Sequence, residues 1–327
     1  MTPAAAGIEQ QLARMERQGH DGDITFPDGR TLRVTSLDKV FFPRDGITKG
    51  DLMRYYTRVA PVLMPILADR PLALKRYPDG IGRPAFFQQN ATKYPAGVRV
   101  ERIVTEAGKP APRFIGGDLP TLLYLVQLGT IAVHVWQSRV GSLDDADYST
   151  IDLDPGEGVR FARVVELARL LGRKLRDQNL TAAVKTSGSR GIHIAIPLPP
   201  KTSFDESTRL AAQLAAGLVE DRPELATLER RIEERPRGTI YVDVQQNARG
   251  KSVVSAYSAR ARKGAMVSAP LRWPELTRTL RLGRFTVRTM PRRLARVGDL
   301  WGDALRVGTR GRSNRQRTLT LTTEAWA

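Results

Sequence analysis

Cysteine is absent from this sequence of 327 residues, and histidine occurs only three times, as His20, His134 and His193. Without thiols the chain forms neither disulfides nor thiolate metal sites, and three histidines are too few to favour a histidine-built zinc site. No run of eighteen apolar residues is present, and the N-terminus has no apolar signal-peptide core. These absences predict no membrane span and are compatible with a reducing cytoplasm.

Negative charge is also scarce. The chain has 52 lysines and arginines against 34 acidic residues, a net charge of +18. Half of that excess lies between Leu276 and Ala327, where 12 arginines face three acids. Such a surface attracts polyanions, above all nucleic acid. A membrane-surface role would require a broad apolar face, whereas Arg306–Arg317 carries Gly, Ser and Asn and is expected to form a flexible basic tail.

The central feature is an acidic stretch within residues 148–158. Asp152 and Asp154 alternate with aliphatic residues, the period-two pattern of a strand, so both carboxylates are expected on one face. Pro155 and Gly156 then end the strand and place the acids at its exposed end. Two adjacent carboxylates repel each other, and a hard divalent cation would compensate them. Two acids on a solvated strand edge are the alternative interpretation.

Two further segments carry polar groups at strand ends. Residues 182–197 read as strand, tight turn and strand, and the turn Ser187–Gly191 offers N–H donors, hydroxyl groups and Arg190 for a phosphate. His193 alternates with isoleucines and is interpreted as a ligand-binding residue rather than a core histidine. Asp243 lies on a later strand. Three carboxylates and a triphosphate are the groups that two divalent metals need for nucleotidyl transfer.

Residues 35–89 contain candidate nucleic-acid contacts. Thr48 and Asp51 fit a capping box, which places Lys49 in the first turn of a helix that runs to about residue 67. A cation there is disfavoured unless an anion lies between it and free backbone N–H groups, or unless the lysine reaches into water. Phe86 and Phe87 are adjacent on a short strand, so their rings point to opposite faces; core packing would explain one, and the other could stack on a base.

In this order, these motifs resemble the polymerase domain of the bacterial ATP-dependent end-joining DNA ligases, the LigD-type polymerases of the archaeo-eukaryotic primase superfamily. The matching blocks cover roughly residues 23–300: Thr35–Val40, Thr48–Leu52, Leu74–Gly80, Phe86–Gln88, Asp152–Gly158, Thr186–His193, Val242–Asp243 with Gln246–Asn247, and Tyr257–Arg260. The resemblance implies a mixed α/β fold, with a primase-like catalytic core built on an RRM-like sheet and a smaller N-terminal subdomain.

The resemblance also implies roles for individual residues. The metal ligands for two Mn²⁺ or Mg²⁺ ions would be Asp152, Asp154 and Asp243. Residues that bind the NTP or dNTP substrate would be Ser187, Ser189, Arg190, His193, His134, Lys251, Gln246 and Arg260. DNA contacts would be Lys39 and Lys49 at a 5′-phosphate, together with Arg76, Phe86 and Phe87. Members of the family favour manganese and add ribonucleotides readily.

We therefore expect a nucleotidyltransferase that extends DNA ends and fills gaps in non-homologous end joining, acting at the nucleoid with an end-binding protein and a DNA ligase. The expected divisions are an N-terminal helical extension (1–22), a subdomain with 5′-phosphate-binding elements (23–130), the catalytic core (131–300) and a basic tail (301–327). No Lys-x-Asp-Gly ligase motif is present, so a stand-alone polymerase or an excised domain is expected. A primase making short RNA primers, a metal-dependent nuclease and a non-catalytic bridging protein are the alternatives.

Overall fold

The computed structural model describes residues 3–105 and 108–310, and these form a mixed α/β fold, as predicted. The described helices are α1 (Pro3–Gln18), α2 (Lys49–Leu67), α3 (Leu119–Gln127), α4 (Phe161–Asp177), α5 (Phe204–Asp221), α6 (Met290–Val297) and α7 (Leu300–Arg310). The described strands are β1 (Gly22–Thr25), β2 (Thr31–Val34), β3 (Val40–Phe42), β4 (Ile47–Thr48), β5 (Leu72–Arg76), β6 (Phe86–Gln88), β7 (Val100–Val104), β8 (Pro110–Phe114), β9 (Thr130–Trp136), β10 (Tyr148–Pro155), β11 (Ala183–Thr186), β12 (Ile192–Pro197), β13 (Ala226–Thr227), β14 (Ile240–Asp243), β15 (Ser252–Val254) and β16 (Pro270–Leu271). None of the described helices is both long and apolar enough to cross a membrane.

The chain divides into two compact units. Among the described residues, unit 1 comprises residues 3–105, 108–140, 254–268 and 283–298, and unit 2 comprises residues 141–253, 269–282 and 299–310. The chain therefore returns to unit 1 twice, whereas the division expected from the sequence is linear.

In unit 1, β5 is the centre of a small antiparallel sheet, with β9 on one side and β6 on the other. Three hairpins accompany it: β1–β2, β3–β4 and β7–β8. The first turns at Asp28-Gly29, as predicted, and Gly29 has the positive φ (82°) that such a turn requires. The helix α2 begins at Lys49 behind a complete capping box of Thr48 and Asp51, which confirms the predicted start of this helix.

In unit 2, the order of elements is β10, α4, β11, β12, α5 and β14, a βαββαβ unit. The strands lie side by side as β14-β10-β12-β11, extended by β13 at one edge and β16 at the other. Helices α4 and α5 both pack against β10. Ile151 and Leu153 are fully buried, while the two acids that alternate with them are partly exposed. The predicted RRM-like sheet is therefore present, with its acids on the open face.

Two predicted elements differ from the structure. The strand predicted over Ile240–Asn247 ends at Asp243, because the chain turns and the buried Asn247 side chain bonds both backbone groups of Thr150, at 2.7 Å each. The predicted flexible tail is wrong for Arg306–Arg310, which belong to α7. The rest of that predicted tail lies outside the described residues.

Candidate functional site

A row of charged and polar side chains crosses the open face of the unit 2 sheet. Asp152 on the central strand β10 pairs directly with Asp243 on β14 and with His193 on β12. His193 in turn pairs with Lys185 on β11. Residues directly opposite on antiparallel strands point to the same face, so the pairing places four functional groups side by side on four strands.

Contacts within this row are short. His193 Nε2 lies 3.3 Å from Asp152 Oδ2, and His193 Nδ1 lies 3.0 Å from Lys185 Nζ. Asp243 Oδ1 accepts a hydrogen bond of 2.8 Å from the backbone N–H of Gln245. His193 and Lys185 are buried, with 6% and 2% exposure, whereas the Asp152 side chain remains 26% exposed. The acidic end of the row is therefore partly exposed to solvent, whereas the basic end at Lys185 is buried.

Asp154 extends the acidic group along β10. Burial raises the pKa of its carboxyl, and the negative charges of Asp152 and Asp243 raise it further; Arg190 and Arg235 act in the opposite direction. Arg235 NH1 lies 3.8 Å from Asp154 Oδ2, and its guanidinium stacks on the Tyr241 ring at 4.2 Å. The three carboxylates thus repel one another and draw cations toward them.

The turn between β11 and β12 is built differently from the expected phosphate cradle. Ser187 Oγ accepts the N–H groups of Ser189 (3.1 Å) and Gly191 (3.0 Å), so these two donors are used inside the turn. Gly191 is required by close packing, since a Cβ there would lie 2.5 Å from the Leu153 carbonyl oxygen. The groups that the turn presents outward are the half-buried Ser189 and the exposed Arg190.

Lys251 and Gln246, the remaining expected nucleotide-binding residues of unit 2, follow Asp243 in the chain. Gln246 is half-buried in the turn after β14, and Lys251 is exposed just before β15. The Asn247 side chain hydrogen-bonds to Thr150 on β10 and so holds this turn, which includes Gln246, against the strand that carries Asp152. In the described part of the chain, neither side chain forms a hydrogen bond or an ion pair with the three carboxylates.

The carboxylates of Asp152, Asp154 and Asp243 are the candidate ligands for divalent metal ions. As positioned, no three Asp, Glu, His or Cys side chains of residues 3–105 and 108–310 converge closely enough to hold an ion. Their chemistry and register nevertheless suit a hard cation, because three carboxylates lie on one face, with Asp152 directly opposite Asp243. Burial raises the pKa of Asp154, and the negative charges of Asp152 and Asp243 add to this rise. Opposite Cβ atoms lie about 4.5–5.5 Å apart, so Asp152 and Asp243 are the pair that would hold such an ion.

In unit 1, Lys39 and Lys49 are close neighbours. The backbone N–H of Lys49 donates to the Lys39 carbonyl at 2.8 Å, and Lys39 Nζ forms an exposed ion pair of 2.6 Å with Asp79. Lys49 is only 4% exposed. Burial, together with the positive charge of Lys39, lowers the pKa of Lys49 to about 8. Two lysines in one place, one of them desolvated, favour an anion between them.

Free backbone donors at the start of α2, however, are not available as expected. The N–H groups of Thr48 and Asp51 bond to each other's side chains, and those of Lys49 and Gly50 donate to the carbonyls of Lys39 and Leu37. All four donors of this helix end are therefore occupied. An anion here would be bound by lysine side chains, and not by the helix N–H groups.

Both adjacent phenylalanines of β6 are exposed, Phe86 by 47% and Phe87 by 67%. One of the two rings was expected to pack in the core, but neither does. The Phe87 ring lies 6.4 Å from the His134 ring and 5.2 Å from Lys75 Nζ, while Phe86 packs on the other side against the Arg76 guanidinium at 5.1 Å. Arg76 also donates to the Leu128 carbonyl (2.7 Å). Exposed rings flanked by cations suit the stacking of bases beside phosphates.

Arg260, also expected to bind the nucleotide, belongs to unit 1. Its backbone N–H donates to the Met266 carbonyl at 2.7 Å, and its side chain is half-buried. The segment that carries it is held by α2, because Tyr55 Oη donates to the Tyr257 carbonyl and Tyr56 Oη accepts from the Ala259 N–H.

Sequence reasoning missed Lys185, Arg235 and Lys75. The signal for Lys185 was available: a five-residue turn over 187–191 pairs Thr186 with Ile192 and hence Lys185 with His193. Lys75 precedes Arg76 in a recognised block, and alternation alone places the two on opposite faces. Arg235 gave no signal, because it lies in a loop with Arg230, Arg231 and Arg237.

A βαββαβ sheet with paired carboxylates on its open face is the kind of core expected of a primase-polymerase. The chain belongs to the LigD primase-polymerase domain family, whose family model matches residues 48–301. The motifs in the sequence therefore indicated the same family that this comparison identifies, and the family is one of nucleotidyltransferases.

Individual relatives agree. The chain is 32% identical over 285 residues to a multifunctional non-homologous end joining protein LigD of Pseudomonas aeruginosa, covering 86% of this chain and 33% of that protein. It is 35% identical over 275 residues to a bifunctional LigD of Bacillus subtilis, covering 82% and 43%. The solved polymerase domain from Mycobacterium tuberculosis Ligase D in complex with DNA matches with a TM-score of 0.78 and 34% identity, over 84% of this chain and 98% of that one. The chain spans about a third of the length of the first of these relatives.

Lys49→Met is expected to stabilise the protein near neutral pH. The folded-state pKa of Lys49 is about 8, below the ordinary 10.5, so the unfolded state binds more protons between these values. The cost of burying the charge is therefore complete below pH 8 and fades toward pH 10.5. We expect a gain of about 1–3 kcal/mol in the free energy of unfolding near pH 7.

Urea unfolding of the variant and the wild type across this pH range measures the effect. Lys39→Met is the matched control, because Lys39 is exposed and its ion pair is worth at most about 1 kcal/mol. An equal loss of stability in both variants, at every pH, would contradict the burial argument.

Proposed function

We propose that this chain adds nucleotides to DNA ends and gaps in bacterial double-strand break repair by non-homologous end joining. The observation that carries the proposal is the in-register pairing of Asp243, Asp152 and His193 on the open face of a βαββαβ sheet. The names of the relatives associate them with end joining, and the solved neighbour is bound to DNA. The charge of +18 suits the same polyanion and a place at the nucleoid in the cytoplasm.

In this proposal, unit 2 carries the chemistry. Asp152, Asp154 and Asp243 would hold two divalent ions, manganese or magnesium, which when bound supply charge neutralisation for the attacking 3′-hydroxyl and the departing pyrophosphate. Arg190 and Ser189 face outward from the β11–β12 turn and would bind the triphosphate. His193 would donate a hydrogen bond beside them, and Gln246 and Lys251 would complete the nucleotide contacts.

Unit 1 would hold the DNA. Phe86 and Phe87 would stack on bases, with Arg76 beside Phe86 for a phosphate. Lys39 and Lys49 would bind the 5′-phosphate on the far side of a gap. An end-binding protein and a DNA ligase would be the partners that deliver the end and seal the product.

Incubation with Mn²⁺, a labelled gapped duplex and nucleoside triphosphates tests the reaction class. Extension of the labelled strand is the expected result. Shortening would indicate a nuclease, and a mobility shift without either would indicate a bridging protein. Synthesis on a template with no primer would favour the stand-alone primase among these alternatives.

Asp243→Asn is expected to lower nucleotide addition at least about a hundredfold, because a lost metal ligand removes several kcal/mol of transition-state stabilisation. DNA binding should persist or strengthen slightly, since a negative charge disappears. Asp205→Asn, an exposed carboxylate in the first turn of α5, is the matched control and should extend DNA normally. Extension by Asp243→Asn at the control's rate would remove Asp243 from the site.

The lysine pair predicts a preference for ends. A gap with a downstream 5′-phosphate should bind about tenfold more tightly than the same gap with a hydroxyl, because two charge-assisted hydrogen bonds are added. Replacing both Lys39 and Lys49 with Met should remove this preference and leave weaker binding that ignores the phosphate. The preference should also decline as pH rises above 8, where Lys49 loses its charge.

Titrations at one salt concentration measure the dissociation constants of the two gapped duplexes, one with a 5′-phosphate and one with a hydroxyl. The salt concentration is fixed because non-specific binding varies steeply with ionic strength. Lys109→Met, at an exposed position between β7 and β8, removes one charge elsewhere on unit 1 and should keep the preference. Equal binding of the two gaps by the wild type would show that the lysines do not recognise a phosphate end.

Ribonucleotides are proposed as the preferred substrates. The 2′-hydroxyl is the group that distinguishes them, and His134, half-buried beside the exposed Phe87 ring, would contact it. Matched additions of ATP and dATP should therefore favour ATP, and His134→Ala should narrow the ratio while His20→Ala leaves it unchanged. A wild type that adds dATP faster would contradict this assignment.

A further inference from the structure

Lys185 is a buried lysine that the proposed reaction does not yet use. It lies on β11 with 2% exposure, in a strand that is otherwise entirely buried. A buried ammonium group is costly unless polar or π partners compensate it. The partners of Lys185 therefore indicate why a lysine stands at this position.

Two of these partners are an imidazole and an indole ring. Lys185 Nζ is 3.0 Å from His193 Nδ1, directly across the β11–β12 hairpin. Nζ also lies 5.5 Å from the centre of the Trp301 ring on α7, within the range of a cation–π interaction. Trp301 itself is buried, and its ring favours the charged form of the ammonium group.

The chemistry of the two groups fixes the direction of the hydrogen bond. An ammonium group has three donors and no acceptor, so His193 Nδ1 must accept the bond. An imidazole that accepts at Nδ1 is neutral and carries its proton on Nε2. That nitrogen lies 3.3 Å from Asp152 Oδ2, which can only accept.

We propose that Lys185 is a positioning residue that holds His193 as the neutral imidazole with its proton on Nε2, directed at the acidic row. Its effect on nucleotide addition rests on the proposed function. Carboxylates and triphosphate oxygens are all acceptors, so a histidine with the opposite tautomer would present a lone pair to them. Lys185 thus makes His193 a donor toward its charged neighbours.

The first measurement observes His193 directly. The chain has only three histidines, so long-range ¹H–¹⁵N correlation spectra of the imidazole rings near neutral pH should show three ring systems. The His193 signals are assigned by their loss in His193→Asn. We expect the wild type to show the Nε2–H tautomer and Lys185→Met to show the Nδ1–H form, a mixture of the two, or the imidazolium. Lys174→Met, which breaks an ion pair with Asp221 (2.7 Å) between α4 and α5, should leave the His193 signals unchanged.

The second measurement is kinetic. Lys185→Met should raise the KM for the incoming nucleotide at least about tenfold, as expected for a hydrogen bond to charged groups, and Lys174→Met should not. Methionine matches the length of the lysine chain and removes a buried charge, so thermal stability should be kept or rise.

The possible outcomes distinguish the proposed role of Lys185 from the proposed polymerase function. A wild-type His193 that is an imidazolium or the Nδ1–H tautomer overturns the inference, as does an unchanged His193 in a folded Lys185→Met. The wild-type tautomer alone decides the matter if Lys185→Met does not fold. An Nε2–H tautomer in a protein that adds no nucleotides would support the role of Lys185 while refuting the proposed polymerase function.

Discussion

The register of β10 with its two neighbours is the constraint on which the rest of the site depends. Asp152 lies directly opposite Asp243 on one side and His193 on the other because β10 pairs antiparallel with both β14 and β12 in this register. A slip of one residue would turn the carboxylates into the core and the aliphatic residues into water. The fully buried Ile151 and Leu153 make that slip costly, since each buried aliphatic side chain contributes about 1.5–3 kcal/mol. Burial of one face therefore fixes the chemistry of the other.

The charges on that open face are graded across the sheet. The acids lie on β10 and β14, the imidazole on β12 and the ammonium group on β11, so the sign of the charge changes over four neighbouring strands. Arg235, stacked on Tyr241, adds a cation beside Asp154. Because each polar group has an oppositely polarised neighbour, the sheet tolerates three carboxylates that repel one another.

Alternation along a strand and pairing across a hairpin could be read from the sequence, and they account for much of the site. The alternation of acids with Ile151 and Leu153 predicted the face of the carboxylates, and the capping box predicted the start of α2 at Lys49. The partners of the backbone N–H groups at the start of α2 could not be predicted from the sequence. The carbonyl groups that occupy the N–H groups of Lys49 and Gly50 belong to Lys39 and Leu37, which reach the helix through the β3–β4 hairpin. Such contacts depend on tertiary approach, for which the local pattern carries no signal.

This occupied helix end changes what kind of anion site α2 can form. At an ordinary helix N-terminus the backbone binds the anion, and the side chains are incidental. Here the four N–H groups have partners, and the remaining attraction comes from the helix dipole and two lysines, one of them 4% exposed. Burial and the charge of Lys39 lower the pKa of Lys49, which means that the folded chain is less stable with this lysine charged. A second positive charge placed beside a desolvated one is destabilising by itself, and an anion would reverse the sign of that interaction. The conflict between stability and charge at Lys49 is therefore the physical ground for regarding this helix end as a binding site, because ordinary surface lysines carry no such cost.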